Sequence, residues 1–526
     1  MPNRPLLYAT SFIAGLTTLG IELTTARLLG NIYGTSDVAY AGIISMMLAY
    51  LTIGYFVGGR IADRHPDARV FYALLAWASL CTALIPFIGR PALLGAAVAF
   101  AEINIGAIVL WVVVTLVLFI VPVGLLGMVS PYVIRLAVDD PAHSGKVAGR
   151  VYALNTAGSL LGAFGAVLVL VPGVGTTPAF LILASIPLIV ALAGMLIEGG
   201  PVVRHAWMPF VIGLLAIFGL RGPIKPPPPG LSLLYEAETP YNLVQVVETE
   251  NRTRYMLLNE GVAIHSIYNP EIPVAFTGGV WDYFLVAPYL NEPPFTPDEV
   301  ERLAIIGLAG GTVAKQYTGV YGEGIAITGV EIDPELVQVG RDYFGMTMPN
   351  LDVLVEDGRV ALDHMGAGYT VVAIDAYRVP YVPWHMTTVE FFREVDSVLA
   401  EDGSIVLNVG RTPINRELIN AIVRTLQEVF PSVYVVDVPN TFNSLVYATR
   451  QPTSADNLQA NLNALSEDGD PLLRASLRLA YENLQPVEPG DIVLTDDHAP
   501  VEGIVHRLVL EYIVAGGTED IGRLGD

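Results

Sequence analysis

The sequence predicts a multi-pass α-helical membrane domain followed by a Rossmann-like α/β domain that opens with a small β-sheet. Three observations lead there. Hydrophobic residues make up 53% of the 526 and mean hydropathy is +0.53, too apolar for an ordinary soluble chain. Charge is split between the halves: 12 Lys+Arg against 8 Asp+Glu in residues 1–230, then 16 against 43 in residues 231–526, a net of +4 followed by −27. Such asymmetry marks two environments. Finally, short apolar runs alternating with helical patterns begin only after residue 300.

In the first half, apolar runs at 6–29, 38–58, 70–88, 105–128, 151–171, 178–197 and 207–220 mostly approach the roughly 20 residues that cross a bilayer core. The first run is too long for a cleaved signal peptide, lacks a clear cleavage site and is followed by more spans. Gly54 and Gly58 lie four apart, as do Gly158 and Gly162, the spacing at which small residues let transmembrane backbones approach. Glu22 lies within the first run; a carboxylate there is either functional or paired locally with Arg27. The segment Gly58-Gly59-Arg60-Ile61-Ala62-Asp63-Arg64 resembles the loop after the second helix of major-facilitator transporters.

Arg60, Arg64 and Arg69 follow the second run, and Arg135, Lys146 and Arg150 follow the fourth. The positive-inside rule therefore sets both loops and the N-terminus in the cytoplasm. Seven full spans would then leave the second half outside, whereas a domain using a cytosolic co-substrate belongs inside. We give the co-substrate more weight and expect a multi-pass cell-membrane protein with a cytoplasmic soluble domain. Incomplete crossing by the short last run, or a re-entrant piece within Pro91–Gly127, reconciles the count.

The expected divisions are a transmembrane domain of about seven helices at 1–225, a linker at 226–230 built on Pro226–Pro229, a small β-domain at 231–270 and a Rossmann-like nucleoside-binding domain at 271–526. Within 231–268 the alternating segments Tyr241–Glu248, Arg254–Leu258 and Val262–Ser266 predict an antiparallel sheet with a turn at Asn259-Glu260-Gly261. Cys81 is the single cysteine, which excludes an intrachain disulfide and a thiolate metal cluster, and the eight histidines are scattered, so no metal is expected. The acidic second half argues against nucleic acid as a partner.

From residue 302 the pattern reads as strands alternating with helices, hence a parallel doubly wound sheet. Leu303–Ile306 runs into the glycine loop Gly307-Leu308-Ala309-Gly310-Gly311-Thr312. Ile325–Ile332 carries Glu331 and leads to Asp333, an N-cap before Pro334. Leu351–Val355 leads to Glu356-Asp357-Gly358-Arg359, Val371–Ile374 ends in Asp375, and Ser404–Asn408 is a fifth strand. Ligands of such sheets lie at the carboxyl ends of the strands. There, Gly307, Ala309, Gly310 and Gly311 let a ligand approach the backbone. Glu331 suits both ribose hydroxyls, and the spacing from Gly307 fits. Asp333, Asp357 and Gly358 complete a nucleoside site, and Asp375 faces what lies beyond it. The alternative for each single acid is a helix cap, but the glycine loop and the three acids in order at successive strand ends favour the nucleoside site.

These residues resemble the spermidine synthase (aminopropyltransferase) family: Ile305–Gly311, Val330-Glu331-Ile332-Asp333, Glu356–Arg359 and Ile374-Asp375. The upstream Leu257–Gly261 looks like that family's N-terminal β-domain. The whole chain, including Leu494–Glu502, looks like its membrane-fused members. The resemblance implies a class I methyltransferase-type fold and transfer of an aminopropyl group from decarboxylated S-adenosylmethionine to an amine. It further implies Asp375 as the catalytic carboxylate, no metal and polyamine biosynthesis as the setting. Three positions depart from the family: Gly310 stands where the loop has Asp, Arg378 where a second Asp follows the fourth strand, and Tyr283-Phe284-Leu285 at the Tyr-His-Glu stretch. The acceptor end has therefore changed, and Tyr283, His385, Asp496, Asp497 and Glu502 are the candidate substrate-binding residues. Expected partners are a small-molecule amine or other acceptor, the lipid bilayer and a second copy in a homodimer. Two alternatives remain at this point: an S-adenosylmethionine-dependent methyltransferase of the same fold, favoured by Gly310, and a transporter-like membrane protein with a nucleoside-sensing domain.

Overall fold

The computed structural model describes residues 2–33, 37–102, 106–259, 263–377, 382–465 and 469–516. The chain divides into two compact units, one of Met1–Lys225 with Glu238–Pro240 and one of Pro226–Ala237 with Tyr241–Asp526.

The first unit is helical. Among the described residues, seven stretches are long and apolar enough to cross a membrane: Arg4–Asn31, Tyr40–Arg64, Ala68–Ala92, Val117–Ala137, Pro141–Val174, Thr176–Ile197 and Val202–Gly219. The 18 residues of the last exceed the run visible in the sequence because a short 3-10 turn, Val202–Arg204, precedes the helix Met208–Gly219. Lys146 and Arg150 belong to the helix Ser144–Gly165 rather than to a loop.

Glycines set the closest approaches. A methyl on Gly158 or Gly162 would overlap the carbonyl oxygen of Phe12 or Leu16, and one on Gly54 would overlap that of Gly124. The helix Arg4–Tyr33 therefore meets Ser144–Gly165 backbone to backbone, as small residues permit. Glu22, 8% exposed, is enclosed in this bundle, and Arg27 pairs with Glu238 (3.5 Å). Replacing Gly158 by Leu is expected to separate that helix pair and lower the thermal midpoint of the detergent-solubilised protein by several degrees, whereas the same change at Gly145, which has open space around it, leaves it unmoved.

The second unit holds two sheets. The small one is formed by β1 (Ser232–Glu238), β2 (Leu243–Glu248), β3 (Arg254–Leu258) and β4 (Ile264–Tyr268) in that order. Val244, Val246, Met256 and Leu258 pack on Leu336, Val339 and Phe344, at the helix Pro334–Tyr343 and just beyond it. The turn expected at Glu260-Gly261 lies outside the described residues.

The large sheet comprises β5 (Arg302–Ile306), β6 (Ala326–Val330), β7 (Leu351–Leu354), β8 (Tyr369–Ile374), β9 (Leu399–Gly410), β10 (Ser432–Asp437), β11 (Asn443–Thr449) and β12 (Leu484–Gln485). Its order is β12-β10-β11-β9-β8-β5-β6-β7. The strands from β5 to β9 are parallel, as the alternation predicts, but β9, β10, β11 and β12 pair antiparallel. This corrects the expectation of a wholly parallel sheet. The link from β10 to β11 is a short turn with Asn440 at φ +58, far too short for a crossover helix. Alternate strand residues fill two cores. Ala304, Ile306, Val372 and Ile374 face the helices Val389–Val398, Glu417–Leu426 and Val501–Val514. Leu303, Ile305, Val371 and Ala373 face Thr312–Tyr321 and Pro471–Glu482. With both faces covered, the edge at which ligands of such sheets lie is the carboxyl end of the parallel strands.

Candidate functional site

At that edge β8, β5, β6 and β7 deliver their loops side by side. After β5 the chain turns through Gly307 (φ +94), Ala309 (φ +46) and Gly311 (φ +75) before the helix Thr312–Tyr321. The left-handed backbone at 307 and 311 favours glycine. Gly307 is also pressed against β8, where an added methyl would stand 2.5 Å from the Asp375 carbonyl oxygen. The Gly310 amide donates to Ser266 Oγ of β4 (2.8 Å). A Cβ on Gly310 would lie 2.9 Å from Ser266 Cβ and Oγ and 3.1 Å from Phe344 Cγ. The small sheet thus occupies the space that an aspartate side chain would need at this loop position. Lys315, 6% exposed, donates to the carbonyls of Gly310 (3.4 Å) and Phe344 (2.5 Å), and burial lowers its pKa to about 7.

Glu331 follows β6 and is 6% exposed. It accepts the Ala309 amide on Oε2 (2.9 Å) and the Asp333 amide on Oε1 (3.1 Å), so it ties the glycine loop to the next strand. Burial raises its pKa to about 7 against these two bonds. Asp333 is fully buried: it caps the Glu335 amide (3.1 Å) and accepts from Asn242 Nδ2 (3.2 Å), which fixes the small sheet. Exposed Ile332 and Val355, at the ends of neighbouring β6 and β7, leave apolar surface beside these acids.

Asp357 caps the short helix Gly358–Leu362 through Oδ1, accepting from the amides of Arg359 (3.0 Å) and Val360 (3.3 Å), and its Oδ2 stands 3.4 Å from His385 Nε2. A methyl on Gly358 would overlap Ile306, so this turn packs directly on β5. Asp375 ends the array: its amide donates to the Ile306 carbonyl (2.8 Å), and its Oδ1 accepts from Asn408 Nδ2 (2.9 Å). Burial raises its pKa to about 7, with the Asn408 bond opposing.

The tentative acceptor residues scatter. Tyr283 is 2% exposed in the sheet's second core, and its carbonyl accepts from the Tyr447 hydroxyl (2.9 Å), so its ring is enclosed rather than presented at the strand ends. Asp496 is consumed by structure. Its two oxygens accept from Arg359 Nη1 (2.8 Å) and Nη2 (2.9 Å), Oδ1 also accepts from Thr388 (2.7 Å), and the arginine holds its pKa below the usual carboxylate range. Arg359 also binds Glu394 (2.6 and 2.7 Å) and the His385 carbonyl (3.1 Å), which occupies every donor of its guanidinium. Asp497 is exposed in the turn Thr495–His498, and Glu502 lies in the first turn of Val501–Val514. Arg378 lies outside the described residues.

Three contributors escape sequence reading. In the sequence Arg359 stands only as the end of the Glu356–Arg359 segment with no role of its own, and Asn408 only as the end of a fifth strand. His265 is the extra residue of a β-bulge, since Met256 pairs with Ser266 and Leu257 with Ile264. Burial lowers its pKa to about 4, and among the described residues its Nε2 has no partner.

A glycine loop held by the acid of the next strand, with further carboxylates on the flanking strands, defines a Rossmann-like protein with acids grouped at the strands' carboxyl ends. Within that class, residues 298–458 match the family model for the Spermine/spermidine synthase domain. The chain is 29% identical over 300 residues to a probable polyamine aminopropyl transferase of Bifidobacterium longum, covering 54% of this chain and 64% of that relative. It is 32% identical over 164 residues to a polyamine aminopropyltransferase of Vibrio vulnificus, 30% of this chain and 53% of the relative. It therefore spans somewhat more than half of these relatives' own length. Among solved structures, a probable spermidine synthase from Corynebacterium glutamicum aligns over 49% of this chain and 96% of its own at 19% identity, with a TM-score of 0.38.

Proposed function

We propose that the α/β unit transfers an aminopropyl group from decarboxylated S-adenosylmethionine to an amine acceptor, and that the apolar unit anchors it in a bilayer. The observation that carries this reading is Asp375, a strand-end carboxylate with a pKa of about 7 whose backbone carbonyl lies against the first glycine of a nucleoside-type loop. The matched domain and the aminopropyltransferase relatives support it. In this reading the glycine loop and Glu331 take the ribose, Asp357 the adenine amino group, and Ile332 and Val355 the faces of the base. Asp375 attracts the protonated amine and removes its proton. The freed lone pair attacks the methylene carbon bonded to sulfur, the C–S bond breaks, and its electrons neutralise the sulfonium. The products are methylthioadenosine and an amine longer by one aminopropyl group. The sulfonium is already an activated leaving group, so no step needs a metal. His385 and Asp497 border the acceptor side. The α/β unit faces the cytoplasm in this scheme, and the chain works as a homodimer.

One observation favours a second reading, S-adenosylmethionine-dependent methyl transfer: Ser266 fills the place beside Gly310 where a carboxylate would hold the aminopropyl ammonium. Calorimetry on the full chain in detergent separates the two. We expect methylthioadenosine to bind more tightly than S-adenosylmethionine. The opposite order selects the methyltransferase, and binding of neither overturns both.

A further inference from the structure

β8 and β9 run parallel with Ile374 opposite Leu407, so Asp375 and Asn408 leave the sheet as neighbours. Asn408 is 6% exposed. Its Nδ2 donates to Asp375 Oδ1 at 2.9 Å, and among the described residues its Oδ1 is buried with no hydrogen-bond partner. A buried carbonyl oxygen without a donor is costly and is retained where something else supplies the donor. Rotating the amide would not relieve it. The oxygen would then stand acceptor to acceptor against an ionised Asp375.

We propose that Asn408 recognises the attacking amine: its side-chain oxygen receives one N–H of the acceptor while its NH₂ holds Asp375 to take the proton from the same nitrogen. The inference rests on the aminopropyl-transfer reading and adds to it the group that recognises a primary amine. Adjacent strands are about 4.8 Å apart, so two acceptors on neighbouring strand ends can each engage one N–H of a single tetrahedral nitrogen. Once Asp375 has removed its proton, the nitrogen lone pair is left free of both. Burial is the cause of the raised pKa of Asp375, and Asn408 is the bond that opposes it. Removing Asn408 therefore acts on the amine directly and on the proton acceptor at once.

The test uses the full chain in detergent, loaded with methylthioadenosine and titrated with 1,4-diaminobutane, alongside the pH dependence of turnover. Asn408→Leu, similar in size but unable to hydrogen-bond, is expected to keep methylthioadenosine affinity within about twofold and to weaken diamine binding about tenfold or more, the range for a charge-assisted hydrogen bond. The acidic limb of kcat/KM should move to higher pH, because the bond that lowers the Asp375 pKa is gone. Asn408→Ser, smaller and still polar, should fall between Leu and wild type, and it serves if the Leu variant does not fold. Unchanged diamine affinity in a variant that still binds methylthioadenosine overturns the proposal. So does parallel loss of nucleoside and diamine, which would make Asn408 a packing residue. Wild-type protein that binds methylthioadenosine but no diamine removes the role of Asn408 alone, whereas failure to bind methylthioadenosine sinks the aminopropyl-transfer reading itself.

Discussion

Asp375→Asn is expected to lower kcat by about 10²–10⁴-fold, the usual contribution of a positioned general base. Nucleoside affinity should stay within about twofold, because in the proposed scheme the side chain serves the amine rather than the adenosine. The substitution keeps size and leaves the backbone bond to Ile306 intact, so lost turnover reports chemistry rather than collapse. The pH dependence gives an independent sign. An acid raised from 3.8 to about 7 is protonated below neutrality, so wild-type kcat/KM should fall as pH drops through about 7. Stability runs the other way. Between about 4 and 7 the folded state holds a proton that the unfolded chain has released, so this carboxylate makes the fold less stable as pH rises across that window. Asparagine carries no such charge. The variant should therefore exceed wild type in thermal midpoint above pH 7 and match it near pH 4. Full activity in the variant, or a rate profile flat through neutrality, would remove Asp375 from the reaction.

The second large effect is expected at Gly307. A valine there meets two obstacles: a backbone at φ +94 that β-branched residues avoid, and the Asp375 carbonyl oxygen 2.5 Å from where its Cβ would sit. Relief requires the glycine loop to withdraw from β8. That displaces the Ala309 amide from Glu331 and moves Asp375 itself. Methylthioadenosine affinity should fall about 100-fold or more, and the thermal midpoint of the α/β unit should drop, as strain at an obligatory glycine predicts. Gly322→Ala is the control. It shares positive φ (+80) but has open space around it and lies at the far end of the same helix, so it should cost some stability and leave nucleoside binding intact. Equal loss of affinity in both variants would show that general destabilisation is responsible and that Gly307 has no special place beside Asp375.

The helices and the parallel strands were legible because their signals are local. An apolar stretch of span length, the run from β5 into Gly307–Gly311, or Asp333 before Pro334 can each be recognised within a few residues. The candidate acids followed from one topological rule, that ligands of such sheets lie at the strands' carboxyl ends, and the structure sets Glu331, Asp357 and Asp375 on loops along that edge. The antiparallel end of the sheet was harder. β10 and β11 are apolar and buried like the parallel strands, and direction is decided by the links between them. Tyr283 and Asp496 have suitable chemistry for a substrate. Their places depend on Tyr447 and Arg359, 164 and 137 residues away in the chain.

By itself, then, the sequence determined a first half of about seven apolar runs and a strand–helix array with a glycine loop and acids at its strand ends, since composition and period are properties of short segments. Only the tertiary structure decided which carboxylates are committed to other protein groups and which keep an oxygen for a ligand, because that turns on partners distant in the chain. It tied Asp496 to Arg359, closed Gly310 against Ser266 and set Asn408 beside Asp375 with one buried oxygen unsatisfied.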